Sequence, residues 1–129
     1  MDGWLGTGHY ALPMSKLIEQ MAAVCARHGA PYVETSLDAM AGVARNVGSG
    51  LLPLNGLRHR RGTTSGWFIW AGDELSEDDD FFEPTHLHHL IDRCPEVLPM
   101  LGLGEGWRFL VAPDYEDVWF DPSLLDESV

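Results

Sequence analysis

A chain of 129 residues, 45% hydrophobic and 22% charged, is sized and composed for one folded domain, not for a fibrous or disordered chain. Eight lysines and arginines stand against twenty aspartates and glutamates, a net charge of −12 that repels nucleic acid and anionic membrane surfaces. No apolar run approaches the roughly 18 residues of a membrane-spanning helix, and the opening MDGWLGTGHYALP lacks the basic-then-apolar order of a secretory leader, so a cytoplasmic protein is expected.

Residues 1–13, with Gly3, Gly6, Gly8 and Pro13, read as an irregular opening segment. SKLIEQMAAVCARHG follows with Leu17, Ile18, Met21, Val24, Cys25 and His28 at helical spacing. Ser15 is a candidate cap, His28 suits the helix C-terminus, and Gly29 can supply a left-handed stop. APYVETS is extended. SLDAMAGVARNVG predicts a second helix, capped by Ser36, with Leu37, Met40, Val43 and Val47 on its apolar side. Gly42 weakens that helix and leaves GVARNV open as a strand. Residues 48–64 read as a long glycine-rich loop.

SGWFIWA predicts a strand with Trp67 and Ile69 on one face and Phe68 and Trp70 on the other. Both faces are bulky and apolar, which places it centrally, covered on two sides. GDELSEDDDFFEP is an acidic loop. PTHLHHLIDRC predicts a third helix, with Pro84 at its first turn, Thr85 as cap, and Leu87, Leu90, Ile91 and Cys94 as the stripe. Pro95 ends or kinks it, and PEVLPML makes a further short helical turn. GWRFLVA is a strand, PDY a turn, and EDVWFDP another strand before the tail SLLDESV. Helices first and strands later argue an α+β fold. The expectation is one domain over 1–129, with a small antiparallel sheet (strands near 66–71, 107–112 and 117–120) packed with N-terminal and central helices.

Several groups carry candidate chemistry. Placed on one helix, His86 and His89 share a face, and Glu83 nearby completes a candidate metal set for zinc or another transition metal. That set supports a metal-binding module or metal-dependent hydrolase, although the HExxH spacing is absent. ELSEDDD lacks the sixth-position glycine and terminal glutamate of a calcium loop. NVGSG with Arg58, Arg60 and Arg61 is a weak anion site without a phosphate-loop motif, and those arginines are expected to pair with the acidic loop. Ser65 is not in a nucleophile elbow. Cys25 and Cys94 sit in apolar stripes and read as reduced, buried thiols, with no zinc spacing. Trp67, Trp70, Trp107 and Trp119 read as core. No cofactor is called for.

The acids are clustered. Residues 73–83 and 114–127 hold thirteen of the twenty and no base. Aromatic residues lie among them, so Asp73, Glu74, Asp78, Asp79, Asp80, Phe81, Phe82, Tyr115 and Asp117, with Trp119 beside them, form a candidate surface for a basic protein partner.

Three pieces together carry a resemblance: SGWFIWAGDE, then DDDFFEPTHLHHLIDRCPEVLPMLGLGEGWRFLVA, then DVWFDPSLL. With ARNVGSGLLPLNG they make residues 36–125 similar to the bacterial polymorphic-toxin immunity proteins, in particular the immunity protein 33-like domain. The resemblance implies a small cytoplasmic α+β protein that binds and neutralises a cognate toxin without catalysis. It carries over no catalytic residue and no interface residue.

Overall fold

In the computed structural model, residues 13–126 are described, apart from 61, 63, 77 and 79. The irregular opening segment, except Pro13, and the assignments to Arg61 and Asp79 therefore lie outside the described residues. Helix α1 spans Met14–Arg27 and buries Leu17, Met21, Val24 and Cys25, one stripe at helical spacing. Ile18 falls off that stripe and is exposed. Ser15 does not cap: Pro13 holds the N-cap position, and its carbonyl accepts from the backbone N–H of Lys16 and Leu17. Gly29 takes the expected left-handed conformation (φ 71°), which lets Ala30 N–H return to the Cys25 carbonyl at 2.8 Å and close the helix end.

Six strands follow: β1 (Met40–Ala44), β2 (Leu54–Arg58), β3 (Trp67–Ala71), β4 (Phe82–His86), β5 (Trp107–Ala112) and β6 (Tyr115–Phe120). They form one sheet in the order β4-β1-β3-β2-β5-β6. β1 and β3 run parallel and every other pair is antiparallel, so the fold is α+β with a mixed sheet, larger than the small antiparallel one expected.

The added strands come from segments read otherwise. The helix expected over residues 36–48 is replaced by β1, which takes up residues 42–44 of the strand that GVARNV left open, while residues 45–47 turn away. Here β3 and β4 supply ladder partners on both sides, and Ala41 and Val43 point together into the core. Ser65 ties the strand down, its hydroxyl and backbone N–H both donating to the Met40 carbonyl. The expected loop at 48–64 contains β2, buried along its whole length between β3 and β5. Its sequence, LNGLR, has no β-branched or aromatic residue to mark it. Three features fit it to the interior. The bare backbone at Gly56 receives the Phe109 ring where a Cβ would stand. Asn55 donates its side-chain amide to the carbonyls of Gly72 (2.9 Å) and Pro53 (3.3 Å). Arg58, only 1% exposed, donates Nε to the Ser65 carbonyl (2.9 Å) and Nη1 to the Leu103 carbonyl (2.7 Å), and its guanidinium lies 5.7 Å from the Trp67 ring.

The third expected helix is also corrected. Phe82–His86 is strand β4 at the sheet edge, where Pro84 and Thr85 are strand residues and no cap forms. A 3-10 turn (Leu87–His89) and the one-turn helix α2 (Leu90–Arg93) follow. Pro95–Gly102 continues as 3-10 helix, with Pro99 inside it. β5 and β6 join through Pro113 and Asp114, the latter at φ 67°, so β6 begins two residues earlier than expected.

One sheet face, with Val43, Trp67, Ile69 and Phe109, joins a single core with Leu17, Met21, Val24, Leu98 and Leu101 of the helical layer. The other face carries Leu57, Phe68 and Trp70. There Phe82 stands edge-on to Phe68 at 5.2 Å, and His59 does so at 5.4 Å. Trp67 is fully buried and Trp70 nearly so, as a central strand requires. Trp119 is not core: it is exposed on β6, with the Arg108 guanidinium 5.5 Å from its ring. Both cysteines are buried free thiols, and burial pushes Cys94 up to about 12. Among the described residues, no helix is long and apolar enough to cross a membrane.

Candidate partner-binding site

Strand registers bring three connections to one end of the sheet. Leu54 pairs with both Ala71 and Val111, Ala44 pairs with Phe82, and Ala112 pairs with Tyr115. The segments 45–53, 72–81 and 113–114 therefore all leave from that end. Asp73, Glu74, Asp78 and Asp80 are exposed in the second. Asp78 and Asp80 flank a shallow depression of about 300 Å³ with Arg45, Asn46 and Phe81.

The candidate surface residues do not form one tight group. β4 and β6 are opposite edges of the sheet. Five inter-strand spacings separate them, about 24 Å. Tyr115 and Asp117 lie exposed on β6, while the acidic loop runs from β3 to β4. Phe81 and Phe82 are half-buried. Their rings meet edge-on at 4.9 Å, and Phe82 packs on Phe68 and Trp70, so they line the sheet rather than project from it.

Between the two acidic regions lies a feature that residue patterns did not reveal. A groove of about 490 Å³ opens where the C-terminal half of α1 and the Pro95–Gly102 segment meet the ends of β2 and β5. Val24, Leu54, Met100, Val111 and Pro113 give it apolar walls, and Tyr115 stands at its margin, 55% exposed. Leu52 lines it and Leu51 adjoins it, 44% and 49% exposed. Leu51 also reaches across to Gly72, at the start of the acidic loop, whose N–H donates to the Pro53 carbonyl at 2.8 Å. The one sequence signal was the pair of leucines set between glycines and a proline in GSGLLP, which has no periodicity to assign it to a core.

On the groove wall, Arg27 donates Nε and Nη2 to the two Glu116 carboxylate oxygens (3.0 and 2.8 Å). His28 Nε2 lies 2.6 Å from the same carboxylate. The Arg27 hydrogen bonds, with a smaller contribution from His28, hold the Glu116 carboxyl below its usual range against the opposing effect of partial burial. These contacts latch the end of α1 to β6.

The histidine group is rearranged from the expectation. His86 ends a strand and His89 sits in a 3-10 turn, so they do not share a helix face. The turn still gathers His86, His88 and His89, with ring centroids 4.3 to 6.4 Å apart. His86 Nδ1 lies 2.9 Å from the Asp38 carbonyl oxygen, and Glu83 is turned to Arg45, whose Nε donates to it at 2.6 Å. Among the described residues, no three His, Cys, Asp or Glu side chains are arranged to hold a metal ion. For the anion reading, Arg58 is enclosed in the core and Arg60 reaches the Leu125 carbonyl at 3.4 Å.

No curated protein and no solved structure matches the chain. The Imm33-like domain family matches residues 20–121. That span runs from inside α1 to the residue after β6 and starts earlier than the resemblance at 36–125, taking in the part of α1 that carries the groove wall. The chain belongs to the Imm33-like domain family.

Proposed function

We propose that this protein is an immunity protein that acts in the bacterial cytoplasm, binding a cognate basic toxin directly and neutralising it without catalysis. The observation that carries the reading is the family match over residues 20–121, which spans all six strands. The charge distribution supports the basic partner: a net charge of −12 concentrated in two segments accelerates encounter with a cationic surface and discourages acidic competitors.

The test has two steps. Tagged protein is used to recover partners from lysate of the native cell at low and moderate salt, and the recovered chain is identified by mass spectrometry. That chain is then expressed in a sensitive host with and without this protein. The expected outcome is growth arrest by the partner alone and rescue by co-expression. Growth arrest that persists at equal expression of a folded immunity chain overturns the proposal.

A further inference from the structure

We infer that the toxin docks on the end of the sheet where the apolar groove meets the acidic loop, with Leu51, Leu52 and Tyr115 as its apolar anchors and the carboxylates beside them receiving a basic face of the toxin. This rests on the immunity reading and assigns it a surface.

Exposure and position select this end. Among the described residues, six large apolar side chains are between 44% and 55% exposed: Leu51, Leu52, Leu75 and Tyr115 lie on or beside the three connections leaving this end, while Met14 starts α1 and Phe120 ends β6. Leu52 extends the wall of the groove outward, and Leu51 lines a neighbouring depression that shares Leu52 and Leu54 with it, so the apolar surface continues onto the protein's exterior. Exposed apolar surface that continues into a groove and is bordered by charge marks a protein contact.

Charge determines what kind of partner fits. Asp73, Glu74, Asp78, Asp80 and Asp114 are exposed on the connections that leave this end, and Asp117 is exposed on β6. The arginines at this end are already engaged. Arg27 is held by Glu116, Arg45 by Glu83, and Arg93 by the carbonyls of Ala44 and Val47. A cationic partner meets carboxylates here without having to displace a resident arginine.

Size agrees. A standard protein interface covers roughly 800 Å² on each partner, a footprint nearly 30 Å across, and the sheet measures about 24 Å from β4 to β6. One partner resting on this end therefore reaches the groove and the acidic loop together. The acidic loop between β3 and β4 and the start of the second acidic segment, at Asp114, become parts of one surface.

The probe is the toxin chain identified with the wild-type protein, prepared in an inactive form, with affinity read by calorimetry and association rate by stopped-flow tryptophan fluorescence. Leu51→Asp/Leu52→Asp is expected to weaken binding at least 100-fold and to abolish rescue of growth. Asp73→Lys/Glu74→Lys is expected to slow association about tenfold and to flatten its dependence on salt. Ile18→Asp, on the exposed side of α1, is expected to stay within twofold of wild type. Circular dichroism and the thermal midpoint establish that each variant folds. If the leucine variant does not fold, Tyr115→Arg with the lysine variant carries the test. Wild-type affinity in the folded groove and loop variants overturns the assigned surface and leaves the immunity reading standing. A wild-type chain that neither binds nor rescues overturns both.

Discussion

Strands β3 and β6 are both rich in aromatic residues and end up in opposite environments. β3 is WFIWA, and it has neighbours on both sides, so Trp67 and Ile69 are fully buried and Trp70 almost so. β6 is YEDVWF at the sheet edge, and Tyr115, Trp119 and Phe120 remain exposed. The two adjacent acids in β6 explain part of the difference, since Glu116 and Asp117 need solvent or a cation. The larger part is position. A central strand offers its side chains two flanking strands and a covering layer, whereas an edge strand offers one flank only. A tryptophan on a strand is therefore evidence of core only once the strand's place in the sheet is known.

The sharpest way to break this comparison is to truncate one tryptophan from each strand. Trp67→Ala leaves a large void among Phe109 and the core and is expected to cost about 3–5 kcal/mol. Trp119→Ala removes an exposed ring and is expected to stay within about 1 kcal/mol. Chemical denaturation of both measures the difference, and equal losses would mean that β6 is covered in solution.

Next in size is Gly56→Ala on β2. The new methyl would occupy the space of the Phe109 ring, and the ring has rigid neighbours on the buried side. Overpacking of this kind costs about 1–3 kcal/mol. The same substitution at exposed Gly62 is expected to be neutral, and equal thermal midpoints for the two variants would remove the close approach as an explanation for β2.

Glu116→Gln tests the latch between α1 and β6. Arg27 is half-exposed, so screening keeps the expected loss to about 0.5–1 kcal/mol near neutral pH. The sign with pH follows from the lowered carboxyl. Because the folded form holds the proton less tightly than the unfolded form, the contribution is complete above the ordinary glutamate value near 4.3. It fades as pH falls through the lower folded value. The gap between wild type and variant is thus expected to narrow from pH 6 to pH 3, and a gap that widens would assign the stabilisation to another group.

The smallest expected effect is on the acidic loop. Asp78→Asn/Asp80→Asn alters exposed carboxylates and is expected to change stability by less than about 0.5 kcal/mol. Its consequence belongs to association: the rate with a cationic partner falls and depends less on salt. A marked loss of folding stability instead would make the loop part of the scaffold.

Much of the molecule was legible from residues alone. Helix α1 followed from its apolar spacing and the glycine after it. β3, β5 and β6 followed from dense aromatic and β-branched residues, and the family from three quoted motifs. The candidate site was legible only in part. Asp73, Glu74, Asp78, Asp80 and Tyr115 are exposed, whereas Phe81 and Phe82, candidates on the same grounds, are half-buried, with Phe82 packed on Phe68 and Trp70 and Phe81 against Phe82. The groove was not legible, because its walls come from α1, the Pro95–Gly102 segment, β2 and β5, which are far apart in the chain.

By itself, then, the sequence determined charge, helix α1, the aromatic strands and family membership, since each depends on composition or on neighbours a few positions away. The tertiary structure alone decided that LNGLR is a central strand, that MAGVA is a strand rather than part of a helix, and that His86 ends an edge strand. Those segments have weak local preferences, and ladder hydrogen bonds and burial supplied by distant strands outweigh them. It also decided which aromatic residues are core and which acids share one end of the sheet, because the order of strands across a sheet is set by pairing between distant segments and not by the order of residues along the chain.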